Sequence, residues 1–474
     1  MTAGDADAGW HHLHPLSPVV RLGRGLVPLV VLGALSSVRG GHAGGPQDLI
    51  WIALAGLGVV VGVIHWLVTR WAFDGATLRI ETGLVRRDSQ QLPVARIQAV
   101  DVVQPFGARV LGLAELRIRV AGAKSAHHLS YLAEPAATDL RARLLATHHG
   151  LDQSVPAPDE HPVEVVPTGR LLGSVLLSAT TMGALVFVVA LAVLSAVSAT
   201  AAAAVAGSLF VYLIGFGQGI WRRCNEQYGF TVAMAPDGIR VRRGLLSTVA
   251  ETIPVRRVQA VRQIEPLLWR AFGWCRLEVD LAGVPGHDRS GGGGRGRVTK
   301  ALLPVGPRES ATTLRRVVIG AVEPAVAGAP RGARLKAPLS YHFLAAGHDR
   351  TMAVAVTGRV QKVTCWVPLE KAQSVRRVQG PVQRALHLAT VHVDVAGKRA
   401  GASFRDRAVD EVDHLVEELA SLSRGARRRL SVGPEPGTPG WFADPARRHQ
   451  VRYWDSARWT DHVADDGVGA VDPL

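Results

Sequence analysis

Apolar residues along this chain fall into two kinds of pattern, long unbroken blocks and short alternating runs. Leu49 to Thr69 carries no formal charge, a length that spans ~30 Å of hydrocarbon as a helix. Gly25 to Val38 is also uncharged but shorter. It reaches spanning length only if its helix starts near Val20 and Arg24 snorkels to the interface. Leu171 to Trp221 contains no charged residue, enough for two helices with a break in the small-residue run Ser195 to Thr200. The blocks therefore predict four transmembrane helices in two hairpins, within 10–70 and 169–223. No clean small-residue cleavage site precedes the second apolar run, which argues against a signal peptide.

The alternating runs read as strands. Leu116, Ile118 and Val120 alternate with Arg117 and Arg119; Leu277, Val279 and Leu281 with Glu278 and Asp280; Val391, Val393 and Val395 with His392 and Asp394. Period two marks strands with one buried and one wet face. Asp74-Gly75 and Asp237-Gly238 stand just before Leu78/Ile80 and Ile239/Val241, each a turn feeding a further strand. Helical patterns follow each set: Leu140 and Leu144 after Pro135, then Leu314, Val317 and Val318 within Glu309 to Val322. The last is a full stripe of Val409, Val412, Leu415, Val416, Leu419 and Leu422. Antiparallel strands followed by one amphipathic helix predict a small barrel or sandwich capped by that helix.

This unit is written three times without a gap. Leu92-Pro93-Val94 through Gly122 returns as Ile253-Pro254-Val255 through Gly283 and as Val367-Pro368-Leu369 through Gly397. Gln98, Gln259 and Gln373 recur in register, and Gly83, Gly244 and Gly358 each stand ten residues before the Pro. The expected modules are 71–150, 224–325 and 338–424, with linkers at 151–168 and 425–439 and a separate tail at 440–464. The chain is thus expected to be a membrane α + β protein with three barrel modules, each capped by a C-terminal helix.

Charge adds an orientation. The formal net charge is +15 and the pI about 10.7. Arg21, Arg24, Arg70, Arg79, Arg86, Arg87, Arg170, Arg222 and Arg223 flank the hairpins, while the outer turns carry only Arg39. The positive-inside rule then predicts a multi-pass protein of the plasma (inner) membrane, with termini and modules cytoplasmic. A basic chain favours an anionic partner, either nucleic acid or a membrane surface. No nucleic-acid reading motif accompanies the charge, so the lipid bilayer is the expected partner and nucleic acid is not. Cys224, Cys275 and Cys365 are odd in number and scattered, which supports neither a disulfide framework nor a zinc site.

The membrane hairpin, Asp-Gly strand, Gly-Leu turn and Pro-containing strand with its downstream Gln together resemble the bacterial pleckstrin-homology domain family. So do the endings Arg109-Val110-Leu111-Gly112-Leu113-Ala114-Glu115-Leu116 and Arg270-Ala271-Phe272-Gly273-Trp274, and the N-terminal Leu13-His14-Pro15-Leu16. The resemblance covers most of 10–424, and the arrangement of two hairpins and three modules resembles membrane-anchored, multi-copy members. It implies a seven-stranded barrel capped by a helix, no established catalytic activity, and a hint of envelope stress or antimicrobial defence. The third copy departs from the pattern: it lacks the Asp-Gly turn, and His387 stands where Gly112 and Gly273 stand. After the Pro/Gly-rich stretch Gly433 to Gly440, the tail Trp441-Phe442, Tyr453-Trp454 and Trp459 resembles a short Trp-rich module of unknown function common in actinobacterial membrane proteins. Its aromatics are read as a minimal core rather than a recognition surface.

Candidate chemistry is sparse. The paired arginines Arg86-Arg87, Arg242-Arg243, Arg256-Arg257 and Arg376-Arg377 either face anionic headgroups or line solvated strands, with nothing in the sequence to choose between the two. The repeat-register residues Pro93, Gln98, Pro254, Gln259, Pro368 and Gln373 are read as structural, each Gln bonding backbone at a bend or bulge. His11, His12 and His14 beside Trp10 lack a carboxylate or Cys partner and read as an interfacial anchor, not a metal site. Gly291 to Gly294 is a hairpin tip, since no Lys-Ser/Thr follows it. No catalytic set, cofactor motif or metal site stands out, so the chain is not expected to be an enzyme. The expected function is binding or scaffolding, to lipid headgroups, a partner protein or further copies in a homo-oligomer. The alternative is a component of a transport or export system, weakened by the absence of ionisable residues inside the apolar blocks. Barrels of this kind could add strands edge to edge into rings or arrays.

Overall fold

The computed structural model describes residues 9–18, 20, 53, 56–57, 60–64, 66–83, 88–120, 127–149, 161–197, 199–235, 238–282, 299–396, 401–431, 440–446, 448–454, 459–465 and 468–472. They form two compact units. One comprises Met1–Val165 and Gln218–Ile253, the other Val166–Gly217 and Pro254–Leu474. The cut between Ile253 and Pro254 runs through the second repeat copy. The compact units are therefore not the sequence repeats.

In the first unit, β1 (His11–His12), β2 (Arg70–Phe73), β3 (Thr77–Thr82) and β4 (Asp88–Pro93) form an antiparallel sheet in chain order. Next come β5 (Ile97–Gln104), α1 (Phe106–Val110), β6 (Leu113–Val120), β7 (His127–Ala133) and α2 (Glu134–His149). Leu116 and Ile118 of β6 are fully buried against Leu78, Ile80 and Leu92, and α2 closes this core with Leu140 and Leu144. The chain continues through β8 (His161–Val165), α3 (Thr168–Leu176), α4 (Ala179–Val197) and α5 (Ala199–Gln227) to β9 (Thr231–Ala235), β10 (Gly238–Arg243) and β11 (Thr248–Ile253). The four strands from β8 to β11 do not stand alone. They join the previous copy's strands in one sheet of order β7-β6-β5-β11-β10-β9-β8.

The second unit repeats the device. Besides α3 and α4 it holds β12 (Val258–Pro266), α6 (Leu267–Ala271), β13 (Trp274–Leu281), β14 (Thr299–Pro307) and α7 (Arg308–Ile319). These lead to β15 (Ala327–Gly328), α8 (Ala333–Lys336), β16 (Ala345–His348), β17 (Met352–Thr357) and β18 (Gln361–Pro368), in a sheet of order β14-β13-β12-β18-β17-β16-β15. Then β19 (Ala372–Val378), α9 (Pro381–Ala385), β20 (Leu388–Val395) and β21 (Gly401–Ala408) make a three-stranded sheet, capped by α10 (Val409–Ser431). Val391, Val393 and Phe404 share one core with Ala353, Val367 and the α10 residues Val412, Leu415 and Leu419. The third copy is thus a two-sheet sandwich under a helix, although its sequence departs most from the pattern.

The repeated residues mark repeated backbone geometry. Pro93, Pro254 and Pro368 each lead into a single 3-10 turn, with φ of −61°, −67° and −62°. Gln98, Gln259 and Gln373 each fall at a register shift, in the β5–β6, β12–β13 and β19–β20 pairs. The Gln259 Nε2 donates to the Arg257 carbonyl at 3.3 Å. Gly244 and Gly358 have φ of +113° and +91°, and a Cβ on either would meet a backbone carbonyl oxygen at 1.9 Å or 2.1 Å. Only glycine fits there. Asp349 occupies the position of Asp74: both accept hydrogen bonds from backbone amides two and three residues on, so the third copy keeps this turn without its Gly.

Among the described residues the expected four transmembrane helices are not found. Among the described residues no single helix is long and apolar enough to cross a membrane, and only the pair α3 and α4, bent by 46°, combines the required length and composition. The uncharged block is broken where Leu177 and Ser178 close α3 with bonds back to Gly173 and Val175. Its apolar residues are divided: Leu171 and Val175 are buried, and the Ser174 carbonyl accepts from Trp269 Nε1 at 3.2 Å, so α3 packs on protein. Leu185, Val186 and Val189 of α4 are exposed. α5 mixes its apolar positions with Gln218, Arg222, Arg223, Asn225 and Glu226. Absence of charge in a sequence block does not distinguish two spans from helices that break and bend within it and mix apolar with polar positions. The multi-pass inner-membrane placement, with its cytoplasmic modules, is withdrawn with the spans that supported it. Residues 21–50, which include the first expected span, lie outside the described residues.

At the N-terminus the histidines form a strand: His11 pairs with Trp71, their rings 4.8 Å apart, and Arg70 lies 4.4 Å over the Trp10 ring. At the C-terminus β22 (Gly440–Ala443), β23 (Val451–Trp454), β24 (Trp459–Asp465) and β25 (Val468–Val471) form a meander. Its centre is Arg452, 0% exposed, held by Asp444 at 2.8 Å and Asp472 at 2.9 Å. The aromatics pack on one another, Trp441 on Tyr453 and Trp459 on Phe442 and Trp454, with Trp441 half exposed.

Candidate functional site

The arginine pairs are not one surface. Arg86 and Arg87 lie outside the described residues. Arg242 is exposed on β10, and Arg243 stands 3.9 Å from Glu251 on the neighbouring strand. Arg256 is exposed and Arg257 half-buried in the turn after Pro254. Arg376 Nε donates to Asp394 at 2.6 Å and Arg377 pairs with Asp413. Arg376 holds the Asp394 carboxyl below the usual carboxylate range, chiefly by that hydrogen bond. Among the described residues there is no group of three or more His, Cys, Asp or Glu that could hold a metal ion.

What the structure does bring together is the edge of one copy and the edge of the next. β5 pairs antiparallel with β11, matching Val103 to Val249 and Val102 to Ala250. β12 pairs with β18, matching Ile264 to Val363 and Gln263 to Thr364. The registers are identical in repeat terms. Val249 and Val363 stand five residues before Pro254 and Pro368, and Val103 and Ile264 stand ten after Pro93 and Pro254. One strand position thus recognises one partner position at both joints.

Two arginines fasten each joint. In the first, Arg109 on α1 donates to the Leu245 carbonyl at 2.5 Å; in the second, Arg270 on α6 donates to the Arg359 carbonyl. Both acceptors directly follow a repeated turn glycine, Gly244 or Gly358, whose positive φ sets the turn that carries the carbonyl. The second clasp comes from the capping helix. Arg141 on α2 reaches Thr252 of β11, donating to its Oγ1 at 2.6 Å. Arg315, the corresponding residue of α7, places its guanidinium 5.0 Å from the Trp366 ring of β18. Thr252 and Trp366 are the same repeat position, two residues before the Pro. Burial lowers the Arg315 pKa and nearby Glu323 opposes the shift. Beside the second joint the buried Glu265 carboxylate accepts from Arg308 at 2.7 Å and from Gln263 at 2.8 Å.

A family model described as bacterial PH domain matches residues 27–148, 170–322 and 326–423. The chain belongs to the bacterial PH domain family. A second model, of a protein family of unknown function (DUF2510), matches residues 439–472, the Trp-rich tail. A comparison with curated proteins finds no match. PH domains are in general non-catalytic binding modules, and three bacterial PH domain copies support a binding or scaffolding role.

Within these PH domain copies, the joint residues Arg109, Arg141, Arg270 and Arg315 escape a reading of the sequence that looks for paired charges. The signal for one pair was present: Arg109 and Arg270 recur at the repeat spacing. Arg141 and Arg315 do not, because the longer β13–β14 connection shifts the second helix relative to its strands.

Proposed function

We propose that this bacterial PH domain protein is a scaffold that binds protein partners by strand addition at the edges of its sheets. The observation behind this reading is the joint itself, built twice from the same strand positions in the same register and fastened by arginines at equivalent sites. Backbone pairing gives such a contact its affinity, and the arginine clasps and side chains alternating along the strand give it selectivity. Two edges of the same kind carry no strand partner among the described residues, the outer side of β4 in the first copy and of β19 in the third. Open edges are templates for another chain. The test is a photo-crosslinking side chain placed at Ser89 on β4 or Arg377 on β19 of the full chain in cells, with exposed Glu417 on α10 as control. Protein adducts from the two edge sites and not from the control are expected. Adducts to lipid alone, or none, would overturn the reading.

A further inference from the structure

We infer that the partner of these edges is a second copy of the chain, added head to tail, with β19 of one molecule continuing onto β4 of the next. This rests on the strand-addition reading above and names its occupant. β4, β11 and β18 are one repeat position and β5, β12 and β19 another. Inside the chain every β11 or β18 is met by the β5 or β12 of the preceding copy. Among the described residues one strand of each kind is left over, so the two open edges complement each other and neither complements itself.

The third copy also keeps its half of the fastening. Arg384 on α9 stands at the position of Arg109 and Arg270, in the repeated sequence Arg384-Ala385-Leu386. It is exposed, with no side-chain hydrogen bond or ion pair among the described residues. Its two counterparts both donate to the carbonyl following a turn glycine of the next copy. The first copy presents the same glycine, Gly83, at φ +99°. An arginine that binds a neighbour in two copies and has none in the third marks where a neighbour belongs.

The internal register predicts the contact. The position four before the Pro meets the position nine after it at both joints, as Ala250 with Val102 and Thr364 with Gln263. The intermolecular joint then sets Ser89 opposite Arg377 and Asp88 opposite Val378, all four exposed. α10 carries Val416 where α2 and α7 carry Arg141 and Arg315. The joint between molecules therefore has one arginine clasp instead of two. It is reversible where the internal joints, held covalently in one chain, are not.

The experiment co-expresses two differently tagged full chains, one S89C and one R377C, and treats the cells with a short thiol-to-thiol crosslinker. A crosslinked species carrying both tags is expected, and none from either variant alone, which also controls for Cys224. R384E in the R377C chain should lower the yield about tenfold or more, by removing a charge-assisted hydrogen bond. A mixed species that R384E leaves unchanged overturns the proposed docking. So does the absence of any mixed species, and so does a crosslink found only within a single chain carrying both cysteines. Photo-crosslinks from Ser89 to other proteins, without the mixed species, would leave strand addition standing and remove only self-assembly.

Discussion

Arg141 on the capping helix of the first copy donates a 2.6 Å hydrogen bond to Thr252 on a strand of the second. The contact is buried and links residues that the repeat pattern assigns to different modules. Replacing Arg141 by Met leaves the Thr252 hydroxyl buried without this donor, at a cost of about 1–3 kcal/mol. Hydrogen exchange of the β5 and β11 amides should rise in R141M. In R141M/T252V, which removes both partners, the loss should be smaller than the sum of the single losses.

His387 has φ +51°, in the left-handed region where Gly112 and Gly273 stand in the other copies at +67° and +66°. Its backbone accepts from Val409 and donates to Arg384, bonds that a glycine keeps. H387G relieves strain of about 1–3 kcal/mol, partly offset by about 0.4–1 kcal/mol from the freer unfolded chain. A higher denaturation midpoint of the third copy is expected; a midpoint below the parent's would contradict this account.

Burial alone would raise the Asp444 carboxyl, but donors from Arg452, His449, Arg448 and Ala446 outweigh it and hold the carboxyl below its ordinary value. A depressed folded value means the stabilisation is complete above the unfolded pKa of about 4 and is lost as pH falls through the folded one. Hydrogen exchange over 440–472, corrected for intrinsic rate, should therefore show the tail opening below about pH 4. R452M leaves the buried carboxylate without its cation, at a cost of about 3–5 kcal/mol. It should abolish protection of the tail at pH 7 as well.

Cys275 and Cys365 are buried, and burial pushes both thiols up to about 12. Thiolate is the reactive form. Native protein at pH 7.5 treated with iodoacetamide should gain adducts at the half-buried Cys224 alone, and at all three cysteines once denatured, read by intact mass.

The strands, their alternation and the three capping helices were legible because each depends on residues close in the chain. Leu116 and Ile118, or Val391 and Val393, point to one face whatever lies beyond them. The same local logic made the turn glycines and prolines visible as a repeat, and it carried the family resemblance. It failed where the outcome depends on what an element packs against. The uncharged stretch Leu171 to Trp221 has the composition of two spans, but Leu171 and Val175 are buried beside Trp269 and the chain bends at Ser178. In the Trp-rich tail the reading missed the buried Arg452–Asp444 pair, because a buried charge looks like a surface charge until its partner is placed.

The amino-acid pattern by itself determined how many copies there are, the alternating strands at the end of each and the capping helix that follows. Only the tertiary structure decided that each copy shares its sheets with its neighbours. Strand pairing is made through backbone amides and carbonyls, which every residue but proline carries alike, so the choice of neighbour leaves almost no trace in side-chain order. It shows only in the arginines that fasten the joints, and those become recognisable once Arg109 and Arg270 are seen at their carbonyls and Arg384 without one among the described residues.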